Sequence, residues 1–162
     1  MNNNQCKELM LDDIIRVDLY LTSDCNIILP LNVQYQSMTL TPTLLGVPVF
    51  SAALSGADVV MLDETPTLKV KNGRQTGGNI YTHDLTLPVM VERTAAEELV
   101  EKLLGRDFHI VYTRADGSRD LSLSLPAAAA CDIDETHSTA ASTTLKVKVL
   151  SYSNTIKLTA TS

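Results

Sequence analysis

The feature that most constrains this chain is a period of two. In DIIRVDLYLT, Ile15, Val17, Leu19 and Leu21 alternate with Arg16, Asp18, Tyr20 and Thr22. The rhythm returns in PTLKVKN, where Leu68 and Val70 alternate with Lys69 and Lys71. In IYTHDLTLPVMVE, Tyr81, His83, Leu85 and Leu87 share one side. Phe108, Ile110 and Tyr112 repeat it, as do Leu121, Leu123 and Leu125, and Leu145, Val147 and Val149 between Lys146 and Lys148. Successive side chains of a strand point to opposite faces, so this spacing predicts half-buried antiparallel strands. Each apolar face must then be buried against a second layer.

One stretch has the other period. Ala96, Leu99, Val100, Leu103 and Leu104 fall on one stripe of a helix, with Glu97, Glu98, Glu101 and Lys102 around the remainder. Thr94 and Glu97 have the Thr-x-x-Glu spacing of a capping box, and Gly105 stands where a left-handed residue ends a helix. The expected fold class is mainly β (α+β): two packed antiparallel sheets or a flattened barrel, with one flanking α-helix at residues 94–104.

Turn chemistry divides the rest. Asp116-Gly117 is the favoured pair for a type I′ hairpin between the Phe108 and Leu121 runs, and Pro126 ends the second strand. AAAACDIDETHSTAAS reads as a connecting loop or a turn of weak helix. TTLKVKVLSYSNTIKL reads as a closing hairpin turning near Ser153-Asn154. Between the Leu68 and Leu85 strands, residues 72–79 read as a mobile glycine-rich loop of about eight residues, longer than most hairpin loops. Such loops often carry function, so Gly73, Arg74, Gln75, Thr76, Gly77, Gly78 and Asn79 are candidate interface residues. At 162 residues the chain is expected to be a single β-rich domain spanning 1–162, with 1–12 as an N-terminal arm.

Composition narrows the function. The net charge is −6, with no Trp, 2 Phe and 5 Tyr. Nucleic-acid binders need a basic footprint and stacking platforms, so specific nucleic-acid binding is not expected. No stretch approaches the ~20 apolar residues of a membrane span, and the N-terminus shows no signal peptide. The cysteines, Cys6, Cys25 and Cys131, are far apart and form no zinc spacing, which fits a reducing cytoplasm.

Few residues of the chain suggest catalysis. Ser55-Gly56 lacks the first glycine of a nucleophile elbow. His83 and Asp84 are adjacent in a strand and so point apart. His83 reads as a partly buried, hydrogen-bonded histidine and His109 as a sheet-surface residue. Cys131 and His137 are close in sequence without a specific pattern, and Asp132, Asp134, Glu135 and His137 lack the ligand spacing and turn glycine of a calcium loop. No catalytic residue, cofactor or metal site is assigned.

The order of strands, glycine-rich loop, capped helix and hairpins over residues 10–160 resembles the tail-tube protein family of long-tailed bacteriophages. The stretches that carry the likeness are GGNIYTHDLTLPV and AAEELVEKLLGRDFHIVYTRADGSRDL. They look like structural proteins of prophages. The resemblance implies a non-catalytic virion component of tail-tube, neck or tail-terminator type. It would assemble into rings with its own copies and other tail proteins, first in the bacterial host cytoplasm and then in the virion. An acidic chain suits a conduit along which DNA slides rather than sticks. The alternative is a β-sandwich module binding carbohydrate or peptide. A third class is a small enzyme built on Cys131 and His137.

Overall fold

The computed structural model describes residues 14–28, 42–54, 59–61, 66–75, 78–134 and 142–158. The strands are β1 (Ile14–Leu21), β2 (Cys25–Ile28), β3 (Thr43–Gly46), β4 (Phe50–Ala53), β5 (Val59–Val60), β6 (Thr67–Gln75), β7 (Gly78–Val89), β8 (Phe108–Arg114), β9 (Arg119–Ser122), β10 (Ala129–Asp134), β11 (Thr143–Ser151) and β12 (Ile156–Lys157). One helix, α1 (Arg93–Leu103), stands among them in the described residues. The fold is mainly β, with sheets packed face to face and one flanking helix.

A six-stranded sheet has the order β12-β9-β8-β1-β4-β5, and a four-stranded sheet the order β10-β11-β7-β6. Their facing sides share one apolar core. Val17, Leu19, Leu21, Phe108, Ile110 and Tyr112 come from the first sheet, and Leu85, Leu87, Val89, Leu145, Val147 and Val149 from the second. At one corner the sheets meet through the backbone, where Met61 bridges Val89 and the Met90 N–H donates to the Val60 carbonyl at 2.7 Å.

The period-two faces hold in β6, β7, β8 and β11, with a shift in β1, whereas β9 ends at Ser122 rather than at Pro126 and its Leu121 enters a second apolar cluster. The β1–β8 register breaks between Ile14 and Arg16. A bulge adds one residue and reverses the faces beyond it. Ile14, rather than Ile15, therefore enters the core. The face of β1 expected to be wet is also covered. Tyr20 packs with Leu44, Val111, Leu121 and Leu158 in a second apolar cluster, supported by Cys25 and Ile27 of β2. A central strand of a sheet covered on both sides buries much of its second face, here Asp18 as well as Tyr20.

Several local expectations are corrected. Residues 72–75 and 78–79, expected in a mobile loop, are paired strand. β6 and β7 stay in antiparallel register through Asn72↔Tyr81, Gly73↔Ile80, Arg74↔Asn79 and Gln75↔Gly78. Backbone pairing therefore continues to Gln75 and Gly78, and Thr76 and Gly77 lie outside the described residues. Residues 129–134 are not a connecting loop but strand β10, paired with β11, because Cys131 and Ile133 have an apolar core to enter. The closing hairpin does not form. β12 crosses to the other sheet and pairs with β9, where Ile156 and Leu158 join the second cluster.

The Asp116-Gly117 turn is not type I′. Only Gly117 has positive φ, at 89°, and its N–H donates to the Arg114 carbonyl at 2.9 Å. That is the three-residue loop in which a type I turn is followed by a left-handed glycine. In α1 the capping box is absent. Glu92 is the N-cap, Thr94 lies inside the first turn, and Glu97 accepts from Arg93 Nε at 3.0 Å instead. Ala96 and Leu103 are buried and Leu99 and Val100 partly so, but Leu104 lies beyond the helix and is exposed. Gly105 is left-handed, with φ 70°, as expected of a residue that ends a helix.

Candidate interaction surfaces and a buried hydrogen-bond chain

Polar side chains gather in three places. The first lies inside. β7 carries His83 toward the core, and β8 and β9 bring Tyr112 and Ser122 to it from the opposite sheet. All three are at most 1% exposed. His83 Nε2 lies 2.9 Å from the Ser153 carbonyl oxygen, which can only accept, so Nε2 carries the proton. Nδ1 is then an acceptor and takes the Ser122 hydroxyl at 2.7 Å. The Ser122 oxygen in turn accepts from the Tyr112 hydroxyl at 2.9 Å. Burial pushes the His83 pKa below its ordinary value, against the Ser153 hydrogen bond and the Asp84 charge, and it raises that of Tyr112.

Serine beside histidine is the pairing of a nucleophile and its base. Here both are wholly enclosed, so no substrate reaches the hydroxyl. The chain joins the two sheets instead. Asp84 points to the other face of β7, as the strand geometry requires. His109 is not a surface residue. It is 5% exposed, and its Nδ1 accepts the Ser124 N–H at 3.0 Å.

The cysteine candidate fares similarly. Cys131 is buried on the inner side of β10, and burial pushes its thiol up to about 12. A thiol held protonated is a poor nucleophile. Asp132 and Asp134 sit on β10, whereas Glu135 and His137 lie outside the described residues. Among the described residues, no group of three or more His, Cys, Asp and Glu could hold a metal ion.

The second place is the outer face of the four-stranded sheet. Its cross-strand rows read Lys69–Asp84–Lys148 and Thr67–Thr86–Lys146–Asp132, with Lys71 opposite Thr82 in the row beyond. Lys69, Lys71, Lys146 and Lys148 are exposed, and Lys146 Nζ donates to Thr86 Oγ1 at 3.2 Å. The sequence places these lysines by alternation, but only the pairing of β6, β7 and β11 brings them onto one surface.

The third is a groove between α1 and β10. Arg93, Glu97, Glu98, Glu101 and Asp132 line it, over Val100 and Ile133. The candidate interface residues lie apart from this groove. Gly73, Arg74, Gly78 and Asn79 are exposed at the far end of the β6–β7 hairpin. β11 pairs with β7 only as far as Ser151↔Tyr81, so the hairpin runs past the rest of its sheet.

No described helix is long and apolar enough to cross a membrane. Neither a family model, nor a curated protein, nor a solved structure matches this chain.

Proposed function

We propose that this chain is a non-catalytic structural subunit that joins copies of itself into rings, as a tail-tube, neck or tail-terminator component of a phage or prophage tail. The observation that carries the reading is the open edge of β6. An edge strand exposes a row of unpaired N–H and C=O groups, and native proteins blunt such edges unless something pairs with them. β5 and β12, the edges of the larger sheet, are two residues each. β10 has α1 packed beside it. β6 runs for nine residues, with no further strand beside it among the described residues. The projecting hairpin extends that edge beyond its own subunit, toward a neighbour.

A surface repeated on every copy closes a ring when its contact is head-to-tail. In this reading the partners are further copies and other tail proteins, met in the host cytoplasm and retained in the virion. The net charge of −6 suits a wall that DNA passes without sticking.

Sedimentation and electron microscopy of the purified chain at rising concentration test the proposal, together with hydrogen exchange. Multimers should form, and the β6 amides should exchange more slowly as they do. A chain that stays monomeric and adds to no tail protein overturns it. A flanking sheath, tape-measure or capsid gene would support the tail assignment over a ligand-binding module.

A further inference from the structure

The lysine face and the acidic groove are complementary in charge and lie on different elements of one chain. The first presents four lysines against Asp84 and Asp132, although the chain as a whole carries −6. The second presents Glu97, Glu98, Glu101 and Asp132 against Arg93. Asp132 borders both, so positive and negative surface adjoin at β10.

We infer that these two surfaces form a contact between copies, with the lysine face of one subunit seated against the α1–β10 groove of the next. The inference rests on the self-assembly reading above and adds a side-chain contact on the sheet face, which includes Lys69 and Lys71 of β6, to the backbone pairing proposed for the β6 edge. Three features favour a second copy of the chain as the occupant. The lysine side chains stand on a sheet face whose between-lysine positions are threonines and one aspartate, so no large side chain stands between them. The acids of α1 project from a rigid element at helical spacing, and Val100 and Ile133 offer a small apolar floor between them. A patch on a sheet face meeting a different patch on a helix flank is a head-to-tail contact, the kind that closes rings. A polyanion is the less favoured occupant, because Asp84 sits in the middle of the lysines and each phosphate there would meet a carboxylate.

Charge reversal tests it in the full chain. Lys146 and Lys148 are on an interior strand, so Lys146→Glu/Lys148→Glu leaves the β6 edge intact. Glu98→Lys/Glu101→Lys alters the groove and spares the Arg93–Glu97 pair. Circular dichroism and thermal unfolding establish that each variant folds. By sedimentation at low salt, each double variant should associate about tenfold or more weakly than the parent chain. The chain carrying all four reversals should recover association, because the charges are again opposite. Added salt should weaken the parent contact.

Two results would overturn the inference, and they are distinguishable. If the parent chain associates and the reversed variants associate equally well, this contact is wrong and the self-assembly reading stands. If the parent chain remains monomeric in every condition, both are wrong. A four-fold reversal that fails to recover association while folding normally also counts against charge pairing as the cause.

Discussion

Ser122 occupies the middle of the buried chain, and its position explains why one small side chain matters. Ser122→Ala leaves the Tyr112 hydroxyl without its acceptor and His83 Nδ1 without its donor. An orphaned buried polar group costs roughly 1–3 kcal/mol. The variant should therefore unfold at a lower urea midpoint with an unchanged slope. The same histidine sets a pH dependence. His83 and His109 both have pKa values lowered by burial from 6.5, and both ring Nδ1 atoms accept hydrogen bonds. Below 6.5 the unfolded chain takes up protons that the folded chain refuses. Stability is thus fully present above that value and falls as pH drops through it toward the folded pKa values. Urea midpoints at about pH 7.5 and about pH 5.5 should differ, with the acid value lower. Ala127 offers the opposite change. Its φ is 57°, and its N–H donates to Asp107 Oδ1 at 2.7 Å. Ala127→Gly should raise stability by about 0.5–1 kcal/mol, read from thermal unfolding, because the left-handed region is strained for a residue with a Cβ.

At the level of elements, α1 shows how much of a helix is written locally. Its period, its length and its glycine stop were all readable. Its capping box was not formed, because the chain leaves β7 at Val89 and enters the helix from an extended Glu92, which leaves Thr94 two residues too deep to cap. Gly105 has no atom near its missing Cβ, so only backbone strain opposes a substitution there. Gly105→Val should lower stability by about 1–2 kcal/mol in chemical denaturation. An unchanged midpoint would mean that the helix end tolerates a different conformation. The β6–β7 hairpin was misread for a related reason. Glycines near a turn suggest freedom, yet the nine-residue β6 and twelve-residue β7 keep pairing through them. Interstrand hydrogen bonds are backbone features and do not depend on the side chains that a sequence reading weighs.

Across the whole molecule, the β6 edge, with no further strand beside it among the described residues, and the hairpin beyond it make the prediction. Replacing residues 74–79 with a two-residue Asn-Gly turn keeps Gly73 opposite Ile80. The change removes only the last two paired rows of β6 and β7, and the shared core includes none of the described residues removed. The trimmed chain should therefore fold with near-parental thermal stability and assemble less, as measured by light scattering over a concentration series. Loss of folding would show that the tip supports the domain rather than its contacts.

The sequence by itself determined that the chain is strand-dominated, which residues alternate, where its one described helix ends and that its acids outnumber its bases. These depend on neighbours a few positions apart, through the fixed periods of strand and helix. Only the tertiary structure decided which strands pair. It sent β12 to β9, covered Tyr20, and drew His83, Ser122 and Tyr112 together across two sheets. It also gathered Lys69, Lys71, Lys146 and Lys148 onto one face and left β6 with no further strand beside it among the described residues. Several of those contacts join residues far apart in the chain, such as His83 and Ser122, 39 positions apart. Strand pairing is selected by burial and by competition among edges, and no local spacing encodes it.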